Sequence, residues 1–210
     1  TLSHPNQLQA YFSEDQKEEV SIEIKKYVEL LKNQNPKLSP IQIQILPVPE
    51  ENWAETYKKY YFAQRLTDLF YLRPKWDTTT PIPSGMIPIF MDPGQAFGTG
   101  LHPSTRLCLK TLQTQITESL DKSKMRCLDV GTGSGILALA IYHLGVKEVV
   151  GVDNDPVAIE VAKENMALNS VSNIELSTVD IWKLKGPYDV VVSNILLETH
   201  RELASEYLRL

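Results

Sequence analysis

Cysteine is scarce in this chain, and long apolar runs are missing. Cys108 and Cys127 cannot build a disulfide framework or a metal site by themselves, so we interpret them as reduced packing thiols. No apolar run approaches the ~18–20 residues that cross a bilayer. These absences predict a protein of the reducing cytoplasm, with no membrane contact and no metal.

A strongly basic surface is also missing. The formal net charge is -5 at pH 7, and no basic stripe interleaved with aromatic residues is present. We therefore expect no direct binding to nucleic acid. The 210 residues, 42% of them hydrophobic, suffice for one large domain or for a modest domain with a smaller partner.

The first fifty residues predict a small α+β module. Ser13 and Gln16 are spaced as a capping box, and apolar residues then recur at helical spacing, which predicts an amphipathic helix over residues 14–33. The strict alternation of "IQIQIL" (41–46) predicts a half-buried strand, with its isoleucines inward and its glutamines outward.

Aromatic residues crowd the next segment, 51–76. Two interpretations stay open for them: a structural brace between domains, or part of a partner-binding surface. Within this segment "LFYLRP" predicts a strand that stops at Pro74. The prolines between 74 and 93 then predict a linker or an extended arm rather than a helix.

From about residue 104 onward, helical and strand patterns alternate. Short apolar runs predict strands at 125–130, 148–153, 173–180 and 188–195, and helices are predicted around 109–116, at 136–144, at 155–169 and from about 200. Continuous apolar strands separated by helices favour a parallel sheet covered on both faces.

Three glycines, Gly131, Gly133 and Gly135, lie between the first of these strands and its helix. Glycine permits positive φ and close approach of a ligand, and the helix N-terminus offers free N–H groups. A plain strand–helix turn is the simplest interpretation. A dinucleotide site would need a glycine at the position of Ile136. The spacing found here, preceded by Asp129, is instead the pattern of S-adenosylmethionine-dependent methyltransferases.

Polar residues also end the next three strands. Asp153 can take both hydroxyls of an adenosine ribose, which suits either class of nucleotide site. Asp180 would lie near the adenine edge, or it caps a helix. Asn194 would face the methyl group of the cofactor, because ligands of open α/β sheets lie beyond the carboxyl ends of the strands; the alternative is a buried turn cap.

Four stretches, "DPGQAFGTGLHPST", "LDVGTGSGILALA", "GVDNDPVAIEVAKEN" and "VVVSNIL", occur in this order. Together they resemble the ribosomal protein L11 methyltransferases of the PrmA type, over roughly 53–197. The resemblance implies an α/β class I methyltransferase fold, a Rossmann-like parallel-sheet domain that is apparently truncated at its C-terminus, with a small N-terminal α+β domain. The domains would be 1–50 for substrate recognition, 51–93 as connecting segment and 94–210 as incomplete catalytic domain.

The resemblance also implies roles for single residues. Four positions carry over as cofactor contacts: Thr105, Gly131, Asp153 and Asn194. A further five residues would cover the methionine end of the cofactor and form part of the substrate channel: Phe97, Gly98, Thr99, Gly100 and His102. For His102, a structural turn at the helix entrance competes with a role as base, which methyl transfer does not strictly require.

These inferences predict an S-adenosylmethionine-dependent enzyme that methylates lysine and/or N-terminal amino groups of ribosomal protein L11, free or on the ribosome. Asn194 would be the catalytic residue that orients the amine, and Gly133, Gly135 and Asp180 would complete the cofactor site. Two alternatives stay open: a related methyltransferase for another protein lysine or a small molecule, and a cofactor-binding fragment without turnover.

Overall fold

The computed structural model describes residues 10–36, 39–47, 58, 61–92 and 98–210. The chain divides into two compact units, Thr1–Glu50 and Glu51–Leu210. In the first unit a 3-10 turn, Glu14–Gln16, leads directly into helix α1, Lys17–Gln34. The side-chain oxygen of Gln16 accepts a hydrogen bond from the backbone N–H of Ser13 over 3.4 Å. The predicted N-terminal helix is therefore confirmed, together with its capping residue.

The strand predicted over 41–46 is wrong. Residues 39–47 form neither helix nor strand. The side chains of Ile41, Ile43 and Ile45 stay 37–39% exposed instead of turning inward. The described residues of the first unit contain no strand, so none of them offers the alternating segment a neighbouring strand with which to pair.

The second unit begins with a three-stranded sheet made of β1 (Gln64–Arg65), β2 (Phe70–Pro74) and β3 (Ile87–Met91). β2 lies in the centre, antiparallel to β1 and parallel to β3. The strand ending at Pro74 is confirmed. The arm that follows contains β3, which the proline pattern concealed, because Pro88 fits an edge strand that has one partner.

Several aromatic residues of the 51–76 segment are structural. Tyr61, Phe70 and Tyr71 are buried, and the Tyr61 and Trp76 rings lie 5.8 Å apart. Tyr61 and Phe70 belong to the same apolar core as the helix that begins at Ile136. These contacts give the later part of the segment a structural role inside the second unit, and a brace between domains stays a prediction. Residues 51–57, 59 and 60 lie outside the described residues.

The larger sheet has four parallel strands in the order β6-β5-β4-β7. Its strands are β4 (Arg126–Val130), β5 (Glu148–Val152), β6 (Ile174–Ser177) and β7 (Val190–Ser193). The helices between and around them are α2 (Pro103–Thr117), α3 (Ile136–His143), α4 (Pro156–Leu168) and α5 (Leu197–Arg209). The predicted parallel α/β arrangement is confirmed, with β7 at an edge.

Helix α3 anchors this sheet, because its residues 136–141 are all buried. Burying an aliphatic side chain of this size contributes about 1.5–3 kcal/mol, and Leu139→Ala would cost about 2–5 kcal/mol through the cavity that it leaves. The helix begins immediately after the glycine-rich loop, so this core also fixes the position of the loop.

The strand order places a crevice between β4 and β7. From β4 the chain continues to β5 on one side, whereas β7 lies on the other side. Ligands of open α/β sheets bind beyond the carboxyl ends of the strands at such a switch point. Among the residues that the structure describes, no helix is long and apolar enough to cross a membrane, and no group of three or more His, Cys, Asp or Glu side chains is placed to hold a metal ion.

Candidate functional site

The glycine loop, residues 131–135, joins β4 to α3 at this crevice. All three glycines have positive φ, between 53° and 81°. The loop is fastened to the end of β5, because the N–H groups of Gly131 and Thr132 donate to the carbonyl oxygen of Val152 over 2.8 and 3.0 Å. The loop is thus held in a fixed shape at the start of a buried helix.

Asp153 follows β5 and reaches back to this loop. Its Oδ2 accepts a hydrogen bond from the N–H of Gly133 over 2.9 Å, and its Oδ1 accepts one from the N–H of Asp155 over 3.0 Å. The carboxylate is half-buried. The structure therefore brings together the glycines and the predicted ribose-binding acid.

Asp129, the last acidic residue before the glycine loop, is fully buried. Its Oδ2 accepts hydrogen bonds from the hydroxyl of Thr132 and the N–H of Ala138, whereas its Oδ1 is buried without a partner. Burial raises the pKa of Asp129 to about 6; the two hydrogen bonds act in the opposite direction, and the nearby Asp153 adds to the rise. An acceptor atom without a donor costs free energy in a protein interior, so Asp129 Oδ1 is a buried atom that lacks a hydrogen-bond donor.

Asn194 follows β7 and closes the other side of the crevice. Its Nδ2 donates to the hydroxyl oxygen of Thr105 over 3.1 Å, across 89 residues of sequence. Thr105 lies in the first turn of α2 and is buried, and Asn194 is half-buried. A Cβ atom on Gly131 would collide with the side chain of Ile195, the neighbour of Asn194. Thr105, Gly131, Asp153 and Asn194 thus lie along one edge of the sheet.

His102 begins helix α2. Its Nδ1 accepts a hydrogen bond from the N–H of Ser104 over 3.2 Å, and Pro103 takes the first helical position. The imidazole is exposed. One ring nitrogen therefore serves as the helix cap, which is the structural interpretation of this His-Pro pair.

The second glycine turn, residues 98–100, packs directly on the glycine loop. The hydroxyl of Ser134 donates to the carbonyl oxygen of Gly98 over 2.6 Å. A Cβ atom on Gly98 would meet Ser134 Oγ at 2.9 Å, and one on Gly100 would meet Ile136 Cδ1 at 2.7 Å. Both glycines are needed for this close approach. Phe97, the remaining predicted channel residue, lies outside the described residues.

Thr99 contacts the aromatic segment, since its carbonyl oxygen accepts a hydrogen bond from the Tyr61 hydroxyl over 2.8 Å.

Asp180 follows β6 and is exposed, and its Oδ1 accepts a hydrogen bond from the N–H of Trp182 over 3.2 Å. It therefore caps the short 3-10 helix Ile181–Lys183. Among the candidate residues that the structure describes, none makes a contact with Asp180.

Sequence reasoning missed two residues, Ser134 and Asn165, that organise the site. Both are fully buried polar residues, and the Nδ2 of Asn165 donates to the carbonyl oxygen of Ser134 over 2.9 Å. Ser134 lies inside the glycine motif, which was a usable signal. Asn165 interrupts the buried face of α4, and a polar residue at such a position is a sign of specific hydrogen bonding.

Comparison with known proteins places this chain in a family. The family model described as ribosomal protein L11 methyltransferase (PrmA) matches residues 1–210. A ribosomal protein L11 methyltransferase of Pelobacter propionicus is 38% identical over 211 residues, which cover 100% of this chain and 68% of the relative. One from Clostridium perfringens is 39% identical over 195 residues, which cover 91% of this chain and 60% of the relative.

Among solved structures, a ribosomal protein L11 methylase from Lactobacillus delbrueckii subsp. bulgaricus matches with a TM-score of 0.59 and 32% identity, over 71% of this chain and 75% of that one. The chain spans 60–68% of the length of the two curated relatives. The family model nevertheless covers every residue, and the resemblance inferred from the four sequence stretches is confirmed. This chain belongs to the ribosomal protein L11 methyltransferase (PrmA) family.

Proposed function

We propose that this chain binds S-adenosylmethionine at the crevice between β4 and β7, and that the protein methylates amino groups of ribosomal protein L11. The observation that carries the proposal is the contact of Asn194 with Thr105 beside the glycine loop. This contact fixes a side-chain amide at the carboxyl edge of the sheet, where a transferable group would lie.

The residues at the crevice fit this donor better than a dinucleotide. S-adenosylmethionine supplies an electrophilic methyl group on a positively charged sulfur. The half-buried Asp153 gives the crevice an acidic lining next to the glycine loop, and the fully buried Asp129 interacts with it electrostatically. Such a lining attracts a cationic ligand and repels a pyrophosphate.

Asp153 is the residue that would hold the adenosine ribose, through the carboxylate that now accepts from Gly133. Gly131, Gly133 and Gly135 would let the donor approach the loop backbone. Asp180 would contribute at the adenine edge, and the turn at 98–100 with His102 would border the path of the incoming amine. The hydrogen bonds from the Gly133 N–H to Asp153 and from the Ser134 hydroxyl to Gly98 support the assignments at the glycine loop and at the second glycine turn.

The incoming amine must be neutral to attack. Deprotonating a lysine of pKa ~10.4 at pH 7 costs roughly 4.6 kcal/mol, and an α-amino group near 7.8 costs about 1 kcal/mol. Burial near a positive charge lowers the pKa of the amine and so reduces this cost. The chain must therefore orient the amine and exclude water more than it must remove a proton.

Asn194 suits the orienting role. Its Nδ2 is committed to Thr105, so its Oδ1 is the atom that would accept a hydrogen bond from an amine N–H. An amine held in this way directs its lone pair away from the amide and toward the methyl group. Thr105 would set the direction of the amide and thereby the angle of attack.

Recognition of the ribosomal protein is assigned to the first unit, residues 1–50. Three apolar side chains on α1 are about half or more exposed: Ile22 at 54%, Tyr27 at 63% and Leu30 at 49%. Exposed apolar groups on one helix are suited to a protein partner. We place the reaction in the cytoplasm, with L11 as substrate either free or on the ribosome.

Transfer of tritium from labelled S-adenosylmethionine to purified ribosomal protein L11 tests the proposal. We expect label on L11 and none on an unrelated lysine-rich protein. Donor binding without transfer to L11 would contradict the substrate assignment and favour a different acceptor or binding alone. Preferential binding of NADH would contradict the donor assignment.

A further inference from the structure

Asn165 in α4 and Asn169, the residue that follows this helix, pair with backbone groups at the end of strand β3. Asn169 accepts a hydrogen bond from the N–H of Phe90 over 2.9 Å and donates to the carbonyl oxygen of the same residue over 2.7 Å. Asn165 accepts one from the N–H of Asp92 over 2.7 Å. Residues four apart on a helix rise about 6 Å, and alternate residues of a strand rise about 6.6 Å, so the two side chains match the strand edge.

Asn165 differs from Asn169 by a second contact, which reaches the glycine loop. Its Nδ2 donates to the carbonyl oxygen of Ser134, and the Ser134 hydroxyl donates to the carbonyl oxygen of Gly98. Asn165 and Ser134 are both 0% exposed. The end of β3, the glycine loop and the second glycine turn are therefore joined by hydrogen bonds, with Asn165 at the centre.

We propose that Asn165 is a positioning residue of the donor site, whose amide holds the glycine loop and the second glycine turn in the arrangement that binds the donor. The inference rests on the proposed function, because it assigns the donor to the glycine loop. Asn165 acts through Ser134 rather than by touching the donor. At a fully buried position water cannot replace the lost partner, so removing the amide leaves the Ser134 carbonyl unpaired and free to shift.

The matched test compares Asn165→Ala with Asn169→Ala. Both variants lose hydrogen bonds to the backbone at the end of β3, Asn169→Ala at Phe90 and Asn165→Ala at Asp92, and only Asn165→Ala also releases Ser134. We expect both to lower the midpoint of thermal unfolding. Calorimetric titration with S-adenosylmethionine should show a Kd raised about tenfold for Asn165→Ala and less than about twofold for Asn169→Ala.

Hydrogen exchange in the donor-free chain gives a readout that needs no donor. The amides of Thr99 and Leu101 should exchange faster in Asn165→Ala than in the parent chain, and at the parent rate in Asn169→Ala. Ser134→Ala removes only the hydroxyl contact to Gly98. It should also speed this exchange and weaken donor binding, so it carries the test even where Asn165→Ala does not fold.

Equal Kd values for the two asparagine variants, with equal exchange at Thr99 and Leu101, would overturn the positioning role. A Ser134→Ala variant with the Kd and the exchange rates of the parent chain would also overturn the positioning role. A parent chain that binds no donor would instead contradict the proposed function, and the exchange rates alone would then decide whether Asn165 positions the two turns.

Discussion

The hydroxyl of Ser134 donates to the carbonyl oxygen of Gly98 over 2.6 Å and joins two glycine-rich turns that lie 36 residues apart. The glycine loop, 131–135, follows the central strand β4, and the second glycine turn, 98–100, precedes helix α2. Cβ atoms on Gly98 and Gly100 would meet Ser134 and Ile136, at the glycine loop and at the start of the helix that follows it. The two glycine clusters in this sequence therefore pack together as two walls of the candidate site.

The packing of these walls predicts a difference between two glycine substitutions. Gly100 and Gly85 have similar φ angles, 82° and 77°, but a Cβ atom on Gly100 would meet buried Ile136 at 2.7 Å and one on Gly85 would meet nothing within 4 Å. Gly85→Ala should lower the free energy of unfolding by about 1–2 kcal/mol through φ alone. Gly100→Ala should lower it by about 1–3 kcal/mol more, through overpacking.

Urea unfolding of both variants measures this difference, with Gly85→Ala as the matched control for backbone strain. Equal losses of stability for the two variants would contradict the packing of the second turn on Ile136.

Thr105 sets the direction of the Asn194 amide, so the two residues should respond together. Asn194→Ala should lower the rate of methyl transfer at saturating donor by about tenfold or more, because the amine loses its orienting acceptor. Thr105→Ser keeps the hydroxyl and should retain most of the rate, whereas Thr105→Val should behave like Asn194→Ala. Single-turnover transfer of labelled methyl groups measures these rates. Activity of Asn194→Ala within about threefold of the parent would remove Asn194 from the mechanism.

Asp153 should control donor affinity, and Asp155 should not. Asp153→Ala removes the carboxylate assigned to the ribose and should raise the Kd for S-adenosylmethionine at least about tenfold. Asp155 accepts a hydrogen bond from the N–H of Val157 as the cap of α4, so Asp155→Ala should cost about 1 kcal/mol of stability. Calorimetry and thermal unfolding separate the two effects; a larger Kd change for Asp155→Ala would reverse the assignment.

Asp129 should make stability fall as the pH rises. Burial raises the pKa of Asp129 to about 6 from its ordinary value of 3.8, so the folded chain binds the proton more tightly than the unfolded chain. The stabilisation is complete below about pH 4 and is lost as the pH rises through about 6, with a total on the order of 3 kcal/mol. Other carboxylates change stability in the same range, so a variant is needed to isolate this contribution.

Asp129→Asn supplies that comparison, since it cannot titrate and has a similar shape. The difference in free energy of unfolding between variant and parent should change steadily in favour of the variant from about pH 4 to 6 and then become constant. Parallel pH profiles for the two chains would show that Asp129 does not titrate in this range.

Most of the second unit could be predicted from local pattern. Strands β4 and β5 read as short apolar runs because all but the first residue of each is buried. The start of α4 was predicted from Asp155 and Pro156. The strand predicted over 41–46 was wrong because alternation identifies one apolar face of a segment but cannot supply a partner strand. β3 was missed because Pro88 reads as a breaker unless the strand is known to lie at an edge.

The site was predictable where motif and strand end coincide, as for Gly131, Asp153 and Asn194. The link from Asn165 through Ser134 to Gly98 was not, because it joins side chains to backbone groups that are distant in sequence. Helical periodicity shows that Asn165 lies on the buried face, but it does not show which carbonyl group its side chain binds.

Calorimetric titration of the parent chain with S-adenosylmethionine, with NADH in a parallel titration, decides which ligand the crevice binds. We expect saturable binding of S-adenosylmethionine that is weakened at least about tenfold in Asp153→Ala and is not displaced by NADH. Saturable binding of NADH together with no heat from S-adenosylmethionine would contradict this expectation.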